Sequence, residues 1–138
     1  MSVISFSDLH WLAVVVAAVI YMVIGSAWYS PGGFGKVWAK ALGKKVGDMG
    51  GDPNTGYGLT AVGALVQSFI IANLVRDIGL TTASQGVALG IGIWLGFIAF
   101  VSASDVVFSG RPWKVWQINA GYYLVVLIIN GGLLAAWH

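Results

Sequence analysis

Four apolar runs, each about as long as a bilayer is thick, leave this chain few ways to fold. They cover 9–29, 58–75, 85–108 and 115–137, with glycine, proline or charged residues between them. A hydrocarbon core of roughly 30 Å takes about 20 helical residues at 1.5 Å each. Lipid offers no water to the backbone, and a helix satisfies its own N–H and C=O groups. The expected fold is all-α, a four-helix transmembrane bundle forming one membrane domain over 1–138. Composition agrees. Hydrophobic residues are 58% of the chain and charged residues 9%, against about a quarter charged in a soluble domain. So few charges cannot cover a globular surface, and the lipid bilayer is the first partner expected. No basic segment precedes the first run, which is longer than a signal-peptide core, so it reads as a retained span.

The stretch after the first run, WYSPGGFGKVWAKAL, sets how the chain meets the membrane surface. Trp28 and Tyr29 are amphipathic rings suited to a membrane–water boundary. Pro31, Gly32 and Gly33 end the helix. Phe34, Val37, Trp38, Ala41 and Leu42 then fall on one helical face, with Lys36, Lys40, Lys44 and Lys45 mostly opposite. This spacing predicts a short amphipathic helix over 34–42, lying in the interface or packed on the protein as a loop helix. A flexible loop follows over 43–56. Its Asp48, Asp52 and Asn54 do not have calcium-loop spacing, and the terminal glutamate is missing.

Basic residues give the orientation. The first and third loops hold Lys36, Lys40, Lys44, Lys45, Arg111 and Lys114, and the second holds only Arg76. Four spans put the first and third loops on one side, which is then cytosolic, with both termini outside the cytoplasm. Trp28, Trp38, Trp113 and Trp116 mark the inner boundary; Trp11 and Trp137 mark the outer one. A faint repeat pairs Lys36-Val37-Trp38 with Lys114-Val115-Trp116, as a parallel duplication would.

Much chemistry is excluded. There are no cysteines and no glutamates, so every side-chain carboxylate is one of five aspartates. No intramembrane acid and base pair up, and no phosphate loop or dinucleotide fingerprint is present. The expectation is a protein that is not an enzyme, with no cofactor, no metal and no nucleic-acid partner at a net charge of +2. His10 and His138, both at the outer rim, are too few for a metal site.

The remaining candidates are polar or small residues inside the spans. Gly92, Gly96, Ala99 and Ala103 form a stripe, and Gly86 and Gly90 form a small-xxx-small pair. Such residues serve close packing, within the bundle or between protomers, or a thin-walled path. Asp105 is the one carboxylate within a span, a candidate for taking up a proton or cation at the inner mouth. An ion pair with Arg111 or Lys114 is the structural reading. Trp116, Asn119, Tyr123, Asn130 and Trp137 share one face of the fourth run. With Gln67, Asn73 and Ser102 they form either a polar lining or interhelical hydrogen bonds.

WYSPGGFGKVW, FSGRPWKVWQINAGYY and the spacing of the spans resemble a family of small bacterial integral membrane proteins, domain of unknown function 1761. The resemblance covers nearly the whole chain and implies a four-span protein of the bacterial inner membrane; it brings no activity and no catalytic residues. Where Asp105 stands, that family more often carries an amide residue. The function expected is an oligomeric channel or permease for a small solute or ion, with Gln67, Asn73, Ser102, Asp105, Asn119 and Asn130 along its path. The alternative is a structural or partner-binding membrane subunit with neither transport nor catalysis.

Overall fold

The computed structural model describes residues 3–43 and 53–137. Lys44, Lys45, Asp48, Asp52 and His138 lie outside the described residues. Among those described, five helices run in order: α1 (Trp11–Trp28), α2 (Gly35–Ala41), α3 (Pro53–Ile78), α4 (Ala83–Ser109) and α5 (Trp113–Ala136). All except α2 are long and apolar enough to cross a membrane. The fold is all-α, with the short helix placed after the first span as expected.

The second span is longer than its apolar run. It starts at Pro53 rather than near 58 and ends at Ile78 rather than near 75. Proline suits a first helical turn, where its missing N–H costs nothing. The third span opens on a reciprocal cap. Thr82 Oγ1 accepts from the Gln85 backbone N–H at 3.3 Å, and Gln85 Oε1 accepts from the Thr82 N–H at 3.2 Å. Within α4, residues Leu95–Ala99 adopt π-helical geometry. One extra residue in that turn rotates the remainder of the helix. Gly96 is exposed while Ala99 is buried, so the small-residue stripe does not continue on one face.

The centre of the bundle is α5. Of its span window 56% is buried, against 17% for α4 and 28% for each of α1 and α3. Helix α4 packs almost wholly on α5, and α1 and α3 close the other side. A Cβ added to Gly86 would overlap the Gly131 carbonyl, and one on Gly90 would overlap the Leu127 carbonyl. Those two glycines let α4 touch α5 backbone to backbone, which is how helices attract each other in lipid. Gly92 and Gly96 have open space around them instead. Trp94 Nε1 donates to Ala120 O at 2.8 Å, adding an indole tie across the same interface. Phe97, Phe100 and Phe108 point outward from α4.

The turn after α1 folds back on the helix end. Phe34 N donates to Trp28 O at 2.7 Å and Gly33 N to Ser30 O at 2.9 Å. A side chain on Gly35 would strike the Tyr29 and Ser30 carbonyls. This reversal lays α2 against the start of α5. Lys36-Val37-Trp38 therefore opens a seven-residue helix, whereas Lys114-Val115-Trp116 opens the 24-residue central one.

Candidate functional site

Two cavities occupy opposite ends of one seam, formed by α1, α3 and α5. The first, about 310 Å³, lies where the chain begins and ends. Ala13 of α1, Ala72 and Val75 of α3, and Leu134 of α5 make its floor, and Asp8, His10, Arg76 and Trp137 stand at its rim. Arg76 pairs with Asp77 at 2.6 Å and reaches Val3 O at 3.3 Å. His10 meets the Trp137 ring edge-on at 5.0 Å. Among the described residues no group of three metal-ligating side chains is present.

The second cavity, about 600 Å³, lies at the end that carries Lys36, Lys40, Arg111 and Lys114. Tyr21, Gly25 and Ser26 of α1, Tyr57 and Thr60 of α3, and Asn119, Tyr122 and Tyr123 of α5 surround it. Tyr29 and Ser30 of the turn and Trp38 of α2 complete the wall. Among the described residues no charged side chain lines it. Tyr122 is the hub of the ring cluster, with Tyr21 at 5.6 Å, Tyr29 at 5.5 Å and Tyr123 at 5.2 Å between centroids. Tyr29 also meets Trp38 edge-on at 5.2 Å.

Hydrogen bonds hold these rings to the backbone frame. Tyr29 Oη donates to Asn119 Oδ1 at 2.6 Å, and Tyr122 Oη donates to Tyr21 O at 2.8 Å. Trp28 Nε1 donates to Ile118 O at 2.9 Å. Burial pushes the Tyr29 phenol above its usual range, and the nearby Tyr123 and Tyr21 phenols add to the shift. Its hydroxyl therefore stays protonated and remains the donor to Asn119. Trp38 lines the cavity, and its Nε1, which can only donate, is buried without an acceptor among the described residues.

Between the cavities the seam is closed by packed side chains, small ones on α1 and α3 and larger ones on α5. Ala17 and Ala18 of α1, Ala64 and Ser68 of α3, and Val126, Leu127 and Asn130 of α5 are all buried. Counting residues from one cavity to the other gives a barrier of roughly 12–18 Å at the helical rise. Asn130 Nδ2 donates to Ala17 O at 2.9 Å, but Asn130 Oδ1 has no partner among the described residues, nor has Ser68 Oγ. Both residues are 0% exposed. A buried polar atom left unpaired costs about 1–3 kcal/mol.

The match that identifies the chain covers 12–135, where the family model DUF1761, described as a protein of unknown function, fits. The chain belongs to that family. No curated protein and no solved structure matches it. In this DUF1761 protein the two stretches that carried the resemblance meet at one place. WYSPGGFGKVW supplies Tyr29, Ser30 and Trp38 to the second cavity, and QINAGYY supplies Asn119, Tyr122 and Tyr123.

The candidate residues read from the sequence are placed in four settings. Asn119 lines the aromatic cavity. Asn130 sits in the barrier, and Gln67 is half-buried on α3, its Oε1 without a partner among the described residues. Asn73 ties down the N-terminal segment, accepting from Ser5 N at 2.7 Å. Ser102 and Asp105 lie on α4, away from the seam. Trp116 Nε1 donates to Ser102 Oγ at 3.0 Å and to Ala99 O at 3.1 Å, bracing the π-helical segment. Asp105 pairs with Arg111, and both are well exposed. Of the expected interface residues, Trp28 and Trp38 pack at the aromatic cavity, while Lys36, Lys40 and Trp113 are exposed at the same end. The cage of tyrosines has no sequence signal of its own, because nothing in the sequence sets Tyr21, Tyr57 and Tyr122 apart from apolar or boundary residues. Ser68 was equally silent: only its burial marks it.

Proposed function

We propose that this DUF1761 protein is a permease for a small solute, and that the solute moves along the seam of α1, α3 and α5. The observation that carries this reading is the pair of cavities at opposite ends of one seam, with unpaired polar atoms in the closed section between them. An opening there would give Asn130 Oδ1 and Ser68 Oγ the partners they lack. The barrier has no charged group among the described residues, which favours an uncharged solute over an ion. Asp105 and Ser102 stand outside this path.

Basic residues at one end support an orientation with that end in the cytosol of a bacterial inner membrane and both termini on the other side. Copies associate, in this reading, through the exposed glycine face of α4 around Gly92 and Gly96. The second reading, a structural subunit, draws on Asn73, Asn119 and Trp116, whose polar groups each tie one segment to another.

Reconstituted liposomes separate the two. A panel of neutral and charged solutes is followed by flux, alongside the mass of the detergent-solubilised complex. The permease reading predicts flux of at least one neutral solute well above protein-free vesicles. No flux for any solute, from vesicles whose protein is folded, supports the structural subunit.

A further inference from the structure

We propose that the aromatic cavity at the basic end binds an uncharged, polyhydroxylated ring solute, of the size of a monosaccharide or cyclitol. The inference rests on the permease reading for the solute's route, but the site itself stands on its own geometry.

The walls select by charge first. Among the described residues no carboxylate lines the cavity to balance a cation, and no guanidinium or ammonium reaches in to balance an anion. Lys36 and Lys40 stand on the exposed side of α2 and are not part of the wall. An anion moved into this half-buried ring cluster would lose hydration with no opposite charge in return. Ring faces attract a cation, but the basic residues at that end repel one.

The walls then select by shape and hydrogen bonding. The rings of Tyr29, Trp38 and Tyr123 give flat surfaces whose negative faces suit the weakly positive C–H face of a saturated ring. A purely apolar ligand would satisfy the rings and waste the polar groups among them. Asn119 uses its Oδ1 to accept from Tyr29, which turns its NH₂ into a donor for a ligand. Ring hydroxyls supply it with an acceptor. The cavity volume of about 600 Å³ lies within the usual range for small-molecule sites, roughly 300–1,000 Å³.

The test uses the full chain in phosphatidylcholine nanodiscs, so that lipid is present as a competitor, and calorimetry with three matched probes: D-glucose, D-glucosamine as the cation and D-glucuronate as the anion. Glucose should bind, and the two charged probes should bind at least tenfold more weakly. Asn119→Leu keeps the size and removes the donor. It should weaken glucose about fivefold, the loss of one neutral hydrogen bond, while the charged probes stay weak. Tighter binding of either charged probe, no binding of glucose, or unchanged glucose affinity in a folded Asn119→Leu protein each overturns the site. Glucose flux in liposomes keeps the two claims apart. Binding without flux supports the site and defeats transport of this solute; flux of other solutes without glucose binding defeats the site and leaves transport standing.

Discussion

The two sides of α5 are built on opposite principles. Toward α4 the contact is backbone against backbone, with Gly86 against Gly131 and Gly90 against Leu127, and indoles bridge the rest. Toward α1 and α3 the contact is side chain against side chain, alanines and serine meeting Val126, Leu127 and Asn130, with a cavity at each end and polar atoms left unpaired between. Small residues serve both sides, to different ends. Where glycine removes the last atom between two helices, backbone meets backbone. Where alanine and serine face larger side chains, the contact is made by the side chains themselves. On the proposed permease reading, one half of the molecule is a frame and the other half is the part that moves.

The comparison breaks most readily at the glycines. Gly86→Ala or Gly90→Ala should destabilise by about 1–3 kcal/mol each, since backbone must shift to admit the methyl group. Gly92→Ala and Gly96→Ala, with open space, should be neutral or stabilise by up to about 1 kcal/mol through helix propensity. Unfolding in mixed micelles measures all four. Equal losses at the two pairs would erase the distinction between the inner and outer faces of α4.

That distinction is also where sequence reading stopped. The four spans were legible because length and hydropathy in lipid leave one answer, and the fold depends on WYSPGG and SGRP as much as on the apolar runs. The cap at Thr82 and Gln85 is written in TTASQ, three residues apart as such a cap requires. Gly86 and Gly90 were legible as a packing pair, but the outward turn of Gly92 and Gly96 was not. LGFIA gives no sign that it takes π geometry, and a single added residue turns every later position. The aromatic cavity was hidden for another reason. Tyr29 and Asn119 are 90 residues apart, and neither residue alone distinguishes a ligand wall from a membrane boundary.

A smaller effect sharpens the account of the frame. Trp116→Phe removes the donor to Ala99 O and Ser102 Oγ while keeping the ring, and should cost about 1 kcal/mol, in the range of interhelical bonds in lipid. Amide exchange in the π-helical segment should rise with it, leaving α1 and α3 as they were. Spread of the exchange into α1 or α3 would mean that frame and seam are one unit. The smallest effect belongs to Asp105. Its pair with Arg111 is exposed, so Asp105→Asn should change stability by at most about 0.5 kcal/mol and leave any flux untouched. A pH-dependent flux that disappears in this variant would return Asp105 to the path.

The most direct measurement exploits a chain without cysteine. Ser68→Cys puts a single thiol at the middle of the seam, where the wild-type side chain is 0% exposed. In liposomes, a membrane-impermeant methanethiosulfonate reagent should label that thiol slowly from either compartment, as the seam opens to each side in turn. If Tyr57→Cys, in the wall of the aromatic cavity, is labelled readily while Ser68→Cys stays unlabelled from both sides, the seam does not open and the permease account is wrong.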